Sequence, residues 1–574
     1  MNQAEKTKFA VPLLISLMLA VFFLLSTNPV IEGDVFWHVK TGEWIVKHLS
    51  IPDSDIFTYT SAQPVHDSPG RDWYYVVLKQ YWLSQPVFYF VYKLFGIAGI
   101  ALFRALIITS ILYILYAWMK RHGVGFGVLS SFLFLIGIQM RYQGDRPHYF
   151  SFLFFALTLI LIEDLVDGFS AKTAERAGCA ASRERASGFA CPVPPLLLPL
   201  LMTLWANMHG GYVMGSALIA VYVAGDLIKR VVNGLKRITP VSDLPVRFHI
   251  ICLTSIAATF VNPLTYRVYA RVFSMVKDVK TNDVLLDYIS PVTAFLTRGD
   301  YKPAYWILII LTFVIICIRA RKMRISRVLA LSIFAGESLL MQRNIAFFVL
   351  LMPLVAVEVN GLAGKRLKNA LFPAAACLAA LCSLLYVQFA GKGVMNFSLE
   401  KIYPVNAVEF IKETRPEGNL FNFVDWGGYL ILYMPEYPVF CDGRRISTDI
   451  ESVQYSVLSG SNEMIAGKPL WRAYLDAYKV DIVLVPAVTP IFHEFVPLVK
   501  ELYRDKDFAL VYSDSLSLVY LRKSRNEGII ERFDLPKRLS LVRAVNILGS
   551  YDEKANSGII SELNVLAAGR ESGN

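Results

Sequence analysis

The first 390 residues alternate long apolar runs with short polar segments. A helix needs an apolar run of about 20 residues to cross a bilayer, and by that measure the chain has about eleven. Residues 82–96 are rich in aromatic side chains and either extend the second run or lie at the membrane surface. The pattern predicts a polytopic α-helical membrane protein. The runs are residues 9–31, 97–118, 124–140, 148–167, 193–208, 211–228, 248–262, 303–319, 328–342, 344–360 and 370–390.

After Ala390 the apolar runs become short and alternate with charged segments and turns. Strands that alternate with helices are typical of a small α/β domain. We therefore divide the chain into a membrane domain, residues 1–390, with a long first outer loop at 32–96, and an α/β domain at 391–574. The predicted strands are 419–424, 438–441, 481–486, 508–512 and 516–521, and the predicted helices are 404–413, 468–478, 490–504 and 536–549.

The composition agrees with a membrane protein, and the distribution of charge predicts its orientation in the membrane. The chain is 55% hydrophobic and 18% charged, and its net charge is +11. With the N-terminus inside, every inside segment is short and basic, as the positive-inside rule requires. The charge then reflects topology and indicates no nucleic-acid partner. The odd number of runs places the α/β domain on the outer, extracytoplasmic side.

Five polar clusters, far apart in the sequence, all fall on the predicted outer side. Side chains from separate loops that meet on one face are typical of a single site. We expect such a site here, assembled from Glu32–His38, Arg141–His148, Asn207–Gly211, Asn262–Pro263 and Gln342–Asn344.

Asp34 is the principal candidate for chemistry. It follows the first apolar run directly and precedes an amphipathic pattern that predicts a helix at 34–48. A carboxylate at this position can act as a general base for a sugar acceptor. The same residue also suits the N-cap of the helix. His38 is the second candidate catalytic residue, and both interpretations of Asp34 remain open from sequence.

Basic and imidazole side chains supply candidate binding groups. Arg146 and Arg343 can grip a phosphate, because guanidinium matches phosphate oxygens in a two-pronged way; the alternative is interfacial snorkelling. Arg141 is a weaker candidate. His148 and His209 can shuttle protons or ligate a metal, or they can serve as structural hydrogen-bonding groups.

Metal and nucleotide chemistry leave weaker signals. Asp145, Asp53, Asp55, Asp67 and Asp72 are oxygen ligands of the kind a divalent metal takes, but no spacing singles out a set. The seven cysteines show no metal-site or disulfide-framework spacing. The chain has no glycine-rich phosphate loop, so we expect no nucleotide site, and a divalent metal remains an open possibility.

The polar clusters together resemble membrane glycosyltransferases of the GT-C superfamily, including protein mannosyltransferases, aminoarabinose transferases and oligosaccharyltransferase catalytic subunits. They are more closely similar to an uncharacterised bacterial branch. Asp425-Trp426-Gly427-Gly428-Tyr429 resembles the Trp-Trp-Asp-Tyr-Gly motif of oligosaccharyltransferases, but with an extra glycine and without the paired tryptophans. The matching pieces are Gly33–Trp44, Trp82–Gln85, Arg146–His148, Trp205–Gly211, Asn262–Pro263, Arg343–Asn344, Asp425–Tyr429 and Asp442–Arg444.

The resemblance implies a glycosyltransferase in a bacterial inner membrane, part of the cell envelope. It implies that Asp34 does the chemistry, that a polyprenyl-phosphate sugar is the donor, and that a glycan, lipid or protein acceptor is used on the outer face. The alternative is a non-catalytic membrane scaffold or lipid-linked glycan transporter. The expected substrate-binding residues are Arg146, His148, Asn207, His209, Arg343, Asn344, Asp425 and Trp426.

Two structural expectations follow. Asp34 should lie in a polar cavity within reach of at least one of Arg146, His148, His209 and Arg343, because a carboxylate near a bilayer needs solvation or a partner. Residues 425–428 should form a turn that opens a helix, faces the membrane and closes over the cavity, with glycines that permit an unusual backbone.

Overall fold

The computed structural model describes most of the chain and divides it into two compact units. Unit 1 contains residues 1–29, 79–84 and 91–397, and unit 2 contains residues 30–78, 85–90 and 398–574. Unit 2 thus adds residues 30–78 and 85–90 to the region predicted as the C-terminal domain. The described residues are 3–60, 76–140, 144–176, 194–235, 244–270, 272, 289–364, 372–391, 395–444, 446–552 and 554–568.

Unit 1 is built of helices, and each of the predicted apolar runs forms one, with the run at 344–360 bent into two. Helices suit such sequences, because they satisfy their own backbone hydrogen bonds where water is absent. The named helices in the described part of unit 1 are Gln3–Leu25, Ser84–Arg121 apart from its residues 85–90, Phe126–Met140, His148–Arg176, Leu197–Met208, Tyr212–Leu235, Val246–Ala258, Pro291–Arg298, Pro303–Arg319, Ile325–Leu340, the 3-10 turn Gln342–Asn344, Ile345–Leu350, Met352–Leu362 and Phe372–Ala390.

Fewer of these helices are long and apolar enough to span a membrane on their own. Among the described residues, four qualify: Ser84–Arg121, His148–Ser170, Tyr212–Leu235 and Pro373–Ala390. A fifth is obtained when Gln342–Leu350 and Met352–Leu362, bent by 48°, are taken as one span. Several shorter apolar helices accompany them. The structure confirms a helix-rich protein with several apolar helices, and the number of spans stays a prediction.

Gly96 interrupts the long helix Ser84–Arg121. Its φ of +62° and ψ of −156° are not helical, so two helical segments meet there across a kink. Glycine adopts this left-handed backbone without the steric penalty that a side chain would bring. The aromatic residues 82–96 therefore largely form a separate segment that precedes the predicted run at 97–118.

A buried ionic cluster ties together helices of unit 1. Glu163 is fully buried, and its carboxylate accepts from Arg327 Nε at 3.0 Å and from the Tyr222 hydroxyl at 2.5 Å. Arg324 Nη1 approaches the same carboxylate at 3.3 Å. These side chains come from His148–Arg176, Tyr212–Leu235 and the start of Ile325–Leu340. A buried charge must be paired in this way to be tolerated in a low-dielectric interior.

Unit 2 is an α/β structure around one mixed sheet, as the C-terminal pattern predicts. The strands are β1 (Asn419–Asn422), β2 (Met464–Ile465), β3 (Lys468–Pro469), β4 (Val480–Val485), β5 (Phe508–Ser513) and β6 (Leu518–Arg522). The main sheet has the order β1-β4-β6-β5; β1 and β4 are parallel, and the other neighbours are antiparallel. Strands β2 and β3 form a separate two-stranded hairpin.

Helices cover this sheet and supply the rest of its core. Strand β4 is buried along its whole length, as its largely apolar sequence predicts, and its one charged residue, Asp481, pairs with Arg522. Helix Asp34–His48 belongs to this unit: the Phe36 ring lies 5.0 Å from the Tyr403 ring and 5.5 Å from the Tyr429 ring. The helices of unit 2 are Asp34–His48, Val405–Thr414, the 3-10 turn Val424–Trp426, Gly427–Tyr433, Thr448–Leu458, Leu470–Ala477, Leu498–Arg504, Glu527–Phe533, Arg538–Asp552 and Ser557–Ala567.

Two predicted elements of unit 2 are wrong. Residues 438–441 are not a strand: Val439 donates to the Phe57 carbonyl, and the Phe440 amide donates to the Asn422 side chain, so no ladder forms. The predicted helix at 490–504 begins only at Leu498. Before it, the Glu494 amide bonds the Thr489 hydroxyl in a tight loop, and Pro497 directly precedes the helix.

Candidate functional site

Asp34 is the first residue of helix Asp34–His48, and Gly33 occupies the N-cap position. No side chain caps this helix, so the capping interpretation of Asp34 is wrong. The Asp34 Oδ1 atom instead accepts a hydrogen bond from Trp37 Nε1 at 3.1 Å, one turn along the helix. Its negative charge also lies where the helix dipole favours an anion. The carboxylate is half-buried and held in one orientation by its own helix.

Gly443, far along the chain, lies directly against the Asp34 carboxylate. A methyl group at Gly443 would come within 2.3 Å of Asp34 Oδ1, which is closer than any real contact. Gly443 is exposed, so the carboxylate sits at an exposed edge of unit 2. The Asp442-Gly443-Arg444 motif therefore belongs to the surroundings of Asp34.

A buried ionic cluster fixes the position of Gly443. The Arg444 guanidinium donates to both oxygens of Asp442, at 2.8 and 2.6 Å, and to Asp55 Oδ1 at 2.8 Å. Burial alone would lower the pKa of Arg444, but Asp442 and Asp55 together raise it. Arg444 also lies over the Phe57 ring at 5.0 Å. These contacts hold the turn on which Gly443 approaches Asp34.

We expect Gly443→Ala to reduce activity while leaving unit 2 folded. The added methyl group must displace the Asp34 carboxylate, and a misplacement of about 1 Å can cost on the order of a hundredfold in rate. The measurement is the transfer rate together with the thermal unfolding of the purified variant. Gly528→Ala is the matched control, because a methyl group there meets nothing within 4 Å. A wild-type rate for Gly443→Ala would show that the contact is irrelevant to function.

The segment Asp425–Gly428 forms the predicted turn that opens a helix. A 3-10 turn at Val424–Trp426 leads directly into the helix Gly427–Tyr433. A methyl group on Gly428 would lie 2.1 Å from the Gly33 carbonyl oxygen, so this turn packs against the residue that precedes Asp34. The close approach requires glycine here.

The two binding candidates in this turn differ in exposure. Trp426 is 1% exposed, and its Nε1 donates to the Ile402 carbonyl at 2.9 Å. The indole is therefore part of the core of unit 2, and we assign no ligand to it. The Asp425 side chain is exposed. Its role as a substrate-binding residue stays a prediction.

His38 lies in the interior of unit 2, 1% exposed. Gln85 Nε2 is 3.4 Å from His38 Nδ1, and the Trp37 and Phe88 rings lie beside the imidazole, at 3.5 and 5.9 Å between centroids. These contacts describe a packed histidine. Its catalytic role stays a prediction.

Unit 1 brings together four of the predicted basic and imidazole residues, namely Arg146, His148, His209 and Arg343. Burial, together with the nearby Arg343 and Arg146 guanidinium groups, lowers the pKa of His209 to about 3. His148 lies near the same two arginines and His209. Loops predicted separately from sequence thus converge within unit 1 on a cluster of hydrogen-bond donors. The neutral His209 adds no third charge beside the two arginines.

Two residues that the sequence analysis missed hold this cluster in place. Arg104 is buried in the long apolar helix and donates from Nη1 to Asp145 Oδ1 at 2.5 Å and from Nε to the Ser26 carbonyl at 3.1 Å. Asp145 directly precedes Arg146. Lys302 Nζ donates to Gln342 Oε1 at 2.7 Å, next to Arg343. A lone arginine in an apolar run indicates a functional or paired position, and Arg104 is such an arginine.

The two asparagine candidates have internal partners. Asn207 accepts from Trp82 Nε1 at 2.9 Å and donates to the carbonyls of Thr203 and Val261, at 2.8 and 2.7 Å. Its amide thus joins segments of unit 1, and we assign it a structural role. The Asn344 amide donates to Glu337 at 3.4 Å, a long hydrogen bond. The binding role of Asn344 stays a prediction.

Among the residues that the structure describes, no group of three or more histidine, cysteine or acidic side chains is arranged to hold a metal ion. Asp145 and Asp55, two of the predicted oxygen ligands, form ion pairs with Arg104 and Arg444. The candidates Asp67, Asp72 and Arg141 lie outside the described residues.

Comparison with known proteins finds similarity at the level of three-dimensional structure. No protein-family model matches the chain, and no curated protein matches it. The Archaeoglobus fulgidus oligosaccharyltransferase tethered with an acceptor peptide aligns with a TM-score of 0.47 and 11% identity over 89% of this chain and 74% of that one. Its apo form aligns at 0.46 and 12%, over 92% and 78%.

A third similar structure is the archaeal oligosaccharyltransferase AglB from Archaeoglobus fulgidus in complex with an inhibitory peptide and a dolichol-phosphate. It aligns with a TM-score of 0.48 and 11% identity, over 89% of this chain and 74% of that chain. These neighbours are distant.

Proposed function

We propose that the chain is a membrane glycosyltransferase that moves a sugar from a polyprenyl-phosphate-linked donor to an acceptor at the outer face of the membrane. The observation that carries the proposal is the Asp34 carboxylate. It does not cap its helix, and it is held by Trp37 at an exposed edge where Gly443 leaves room for it. A carboxylate oriented in this way suits a general base.

The proposed reaction is a displacement at the anomeric carbon of the sugar. The acceptor hydroxyl or amide attacks that carbon and gives its proton to Asp34. The bond from the anomeric carbon to the phosphate oxygen breaks, and the polyprenyl phosphate leaves with the electron pair. The reaction needs no nucleotide, in keeping with a lipid-linked donor.

The cluster of Arg146, Arg343 and His209 supports the donor part of the proposal. Guanidinium groups bind phosphate oxygens through paired, charge-assisted hydrogen bonds, which are stronger than neutral ones. A phosphate leaving group also gains negative charge as its bond to the sugar breaks, and nearby cations stabilise that charge. We assign the donor phosphate to these side chains of unit 1.

The test is an assay of purified protein in lipid nanodiscs with a panel of synthetic polyprenyl-phosphate sugars. We expect release or transfer of sugar from at least one donor, detected by mass spectrometry of the lipid product. A scaffold or transporter would bind or move such lipids without cleaving them. Intact donors across the whole panel, with protein that is folded and binds them, would favour that alternative.

We expect Arg343→Gln to raise the KM for the donor by roughly tenfold to a hundredfold. The estimate follows from about 1.5–3 kcal/mol for a hydrogen bond to a charged group. The rate at saturating donor should fall less than kcat/KM does. Arg321→Gln is the control, since Arg321 is exposed in a turn of the same unit. An unchanged KM in Arg343→Gln would remove Arg343 from the donor site.

A further inference from the structure

The hydrogen bonds around His209 define which of its ring nitrogens carries a proton. His209 follows the helix Leu197–Met208 in an extended conformation. The Gly211 amide donates to His209 Nδ1 at 2.9 Å, and the Ser151 hydroxyl oxygen lies 2.7 Å from the same nitrogen. Trp205 Nε1 in turn donates to the Ser151 hydroxyl at 2.7 Å.

Donor and acceptor capacities leave one assignment. A backbone amide and an indole N–H can only donate. His209 Nδ1 must therefore accept from Gly211, so it carries no proton. The Ser151 hydroxyl accepts a hydrogen bond from the Trp205 indole N–H and donates its own proton to the same Nδ1. The proton of the neutral imidazole consequently lies on Nε2.

This arrangement also opposes a second proton on the ring. Protonation of Nδ1 would set two N–H donors against each other across the 2.9 Å contact with Gly211. The charged groups that face His209 are Arg343 and Arg146, and His148 and the Tyr81 ring lie beside it. Both arginines repel an imidazolium, and burial adds to the effect, so the pKa of His209 is lowered to about 3.

Gly211 is required for this geometry. A methyl group on Gly211 would lie 2.3 Å from the Ser151 hydroxyl oxygen and 3.0 Å from His209 Nδ1. A side chain at this position would push apart the groups that meet at Nδ1. The Asn207-Met208-His209-Gly210-Gly211 motif thus encodes both the imidazole and the space for its partners.

We propose that Ser151 and the Gly211 amide, anchored by Trp205, hold His209 as a neutral imidazole whose Nε2–H donates to an oxygen of the donor phosphate. Ser151 is a positioning residue, and His209 is a binding residue that exchanges no proton. The identity of the ligand rests on the proposed function, whereas the protonation state of His209 does not. The neutral imidazole contributes a directional hydrogen bond to the phosphate and adds no positive charge to the site.

The protonation state is tested by nuclear magnetic resonance of the full-length protein labelled with 15N-histidine in lipid. The His209 signals are assigned by their loss in His209→Gln. We expect Nε2 to be protonated and Nδ1 unprotonated, with no change between pH 8 and pH 5. A protonated Nδ1 at pH 7, or formation of an imidazolium in this interval, would overturn the proposal. Neither outcome depends on activity.

The ligand is tested with farnesyl phosphoglucose, a phosphodiester whose charge is constant over the same pH interval. Gln presents an N–H group at the reach of histidine Nε2, whereas Asn presents one at the reach of Nδ1. We expect His209→Gln to keep the affinity within a few-fold and His209→Asn to lose roughly tenfold or more, as for a lost hydrogen bond to a charged group. Equal affinities of the two variants would overturn the binding role.

Ser151 is tested in the same two measurements. Ser151→Ala should broaden or shift the His209 Nδ1 signal and weaken binding of the probe, and Ser151→Thr, which keeps the hydroxyl, should restore both. Unchanged His209 signals in Ser151→Ala would contradict the positioning role. If wild-type protein does not bind the probe, the phosphate assignment fails and the donor part of the proposed function fails with it, while the resonance data still decide the state of His209.

Discussion

Asp34→Asn is expected to lower the rate of sugar transfer by about a hundredfold or more, the usual cost of losing a general base. Asparagine has the same shape, and its carbonyl oxygen can still accept the hydrogen bond from Trp37 that the structure shows at 3.1 Å. The contact with Gly443 is kept as well. The variant therefore removes the base and little else, and the measurement is the single-turnover rate at saturating donor.

A matched control separates chemistry from helix stability. Asp449 is an exposed acid in the first turn of Thr448–Leu458, another helix of unit 2. Asp449→Asn loses a similar favourable interaction with a helix dipole, worth about 0.3–1 kcal/mol, and should leave the transfer rate unchanged. If Asp34→Asn transfers sugar at the wild-type rate, Asp34 is not the base.

Glu163→Gln is expected to destabilise unit 1 by about 3–5 kcal/mol, as found when one partner of a buried ion pair is removed. The carboxylate is fully buried and accepts from Arg327, Arg324 and Tyr222. Without its charge, two arginines lose a shared partner in a low-dielectric interior. Unfolding in mixed micelles measures the change.

The double variant Glu163→Gln, Arg327→Met sharpens this test. The stability effects of substitutions within one ionic cluster are not additive. Removing both charges should therefore lower the free energy of unfolding by less than the sum of the two single substitutions. Lys322→Gln, in an exposed turn of the same unit, should change stability by less than about 0.5 kcal/mol. A loss of similar size in Lys322→Gln and Glu163→Gln would mean that the buried cluster is not a major source of stability.

Most helices of unit 1 follow from sequence because a continuous apolar run marks them; the short helix Pro291–Arg298 has no such run and was not predicted. Helix Asp34–His48 also follows from sequence because its apolar positions recur at helical spacing, and strand β4 does because five of its six residues are valine, isoleucine or leucine. The errors have a local cause. At 438–441 the backbone amides bond the Phe57 carbonyl and the Asn422 side chain, and neither partner is visible in the pattern of that segment.

The candidate site is predictable in its residues but not in their contacts. The motifs that contain Asp34, Gly443 and Gly428 stand out in the sequence, yet only the structure shows that they meet. Trp426 and Asn207 were predicted to bind substrate because both are polar or aromatic residues in conspicuous motifs. Their hydrogen bonds to backbone carbonyls give them structural roles, and such bonds leave no trace in residue type.

Positioning residues are the hardest to predict. Arg104 could have been found, because an arginine in an otherwise apolar run requires a partner. Ser151 could not, since a serine in an apolar helix is common and its hydrogen-bond partner, His209, lies 58 residues further along the chain. Sequence pattern reports burial and periodicity, whereas the orientation of a functional group is decided by contacts between elements.

The most direct measurement of the central claim is the transfer rate of Asp34→Ala with and without added formate. Alanine removes the carboxylate and leaves space beside Gly443, where a small carboxylate can take its place. We predict that formate raises the slow rate of Asp34→Ala and leaves wild-type protein and Asp34→Asn unchanged. A wild-type rate for Asp34→Ala in the absence of formate would contradict the assignment of Asp34 as the base.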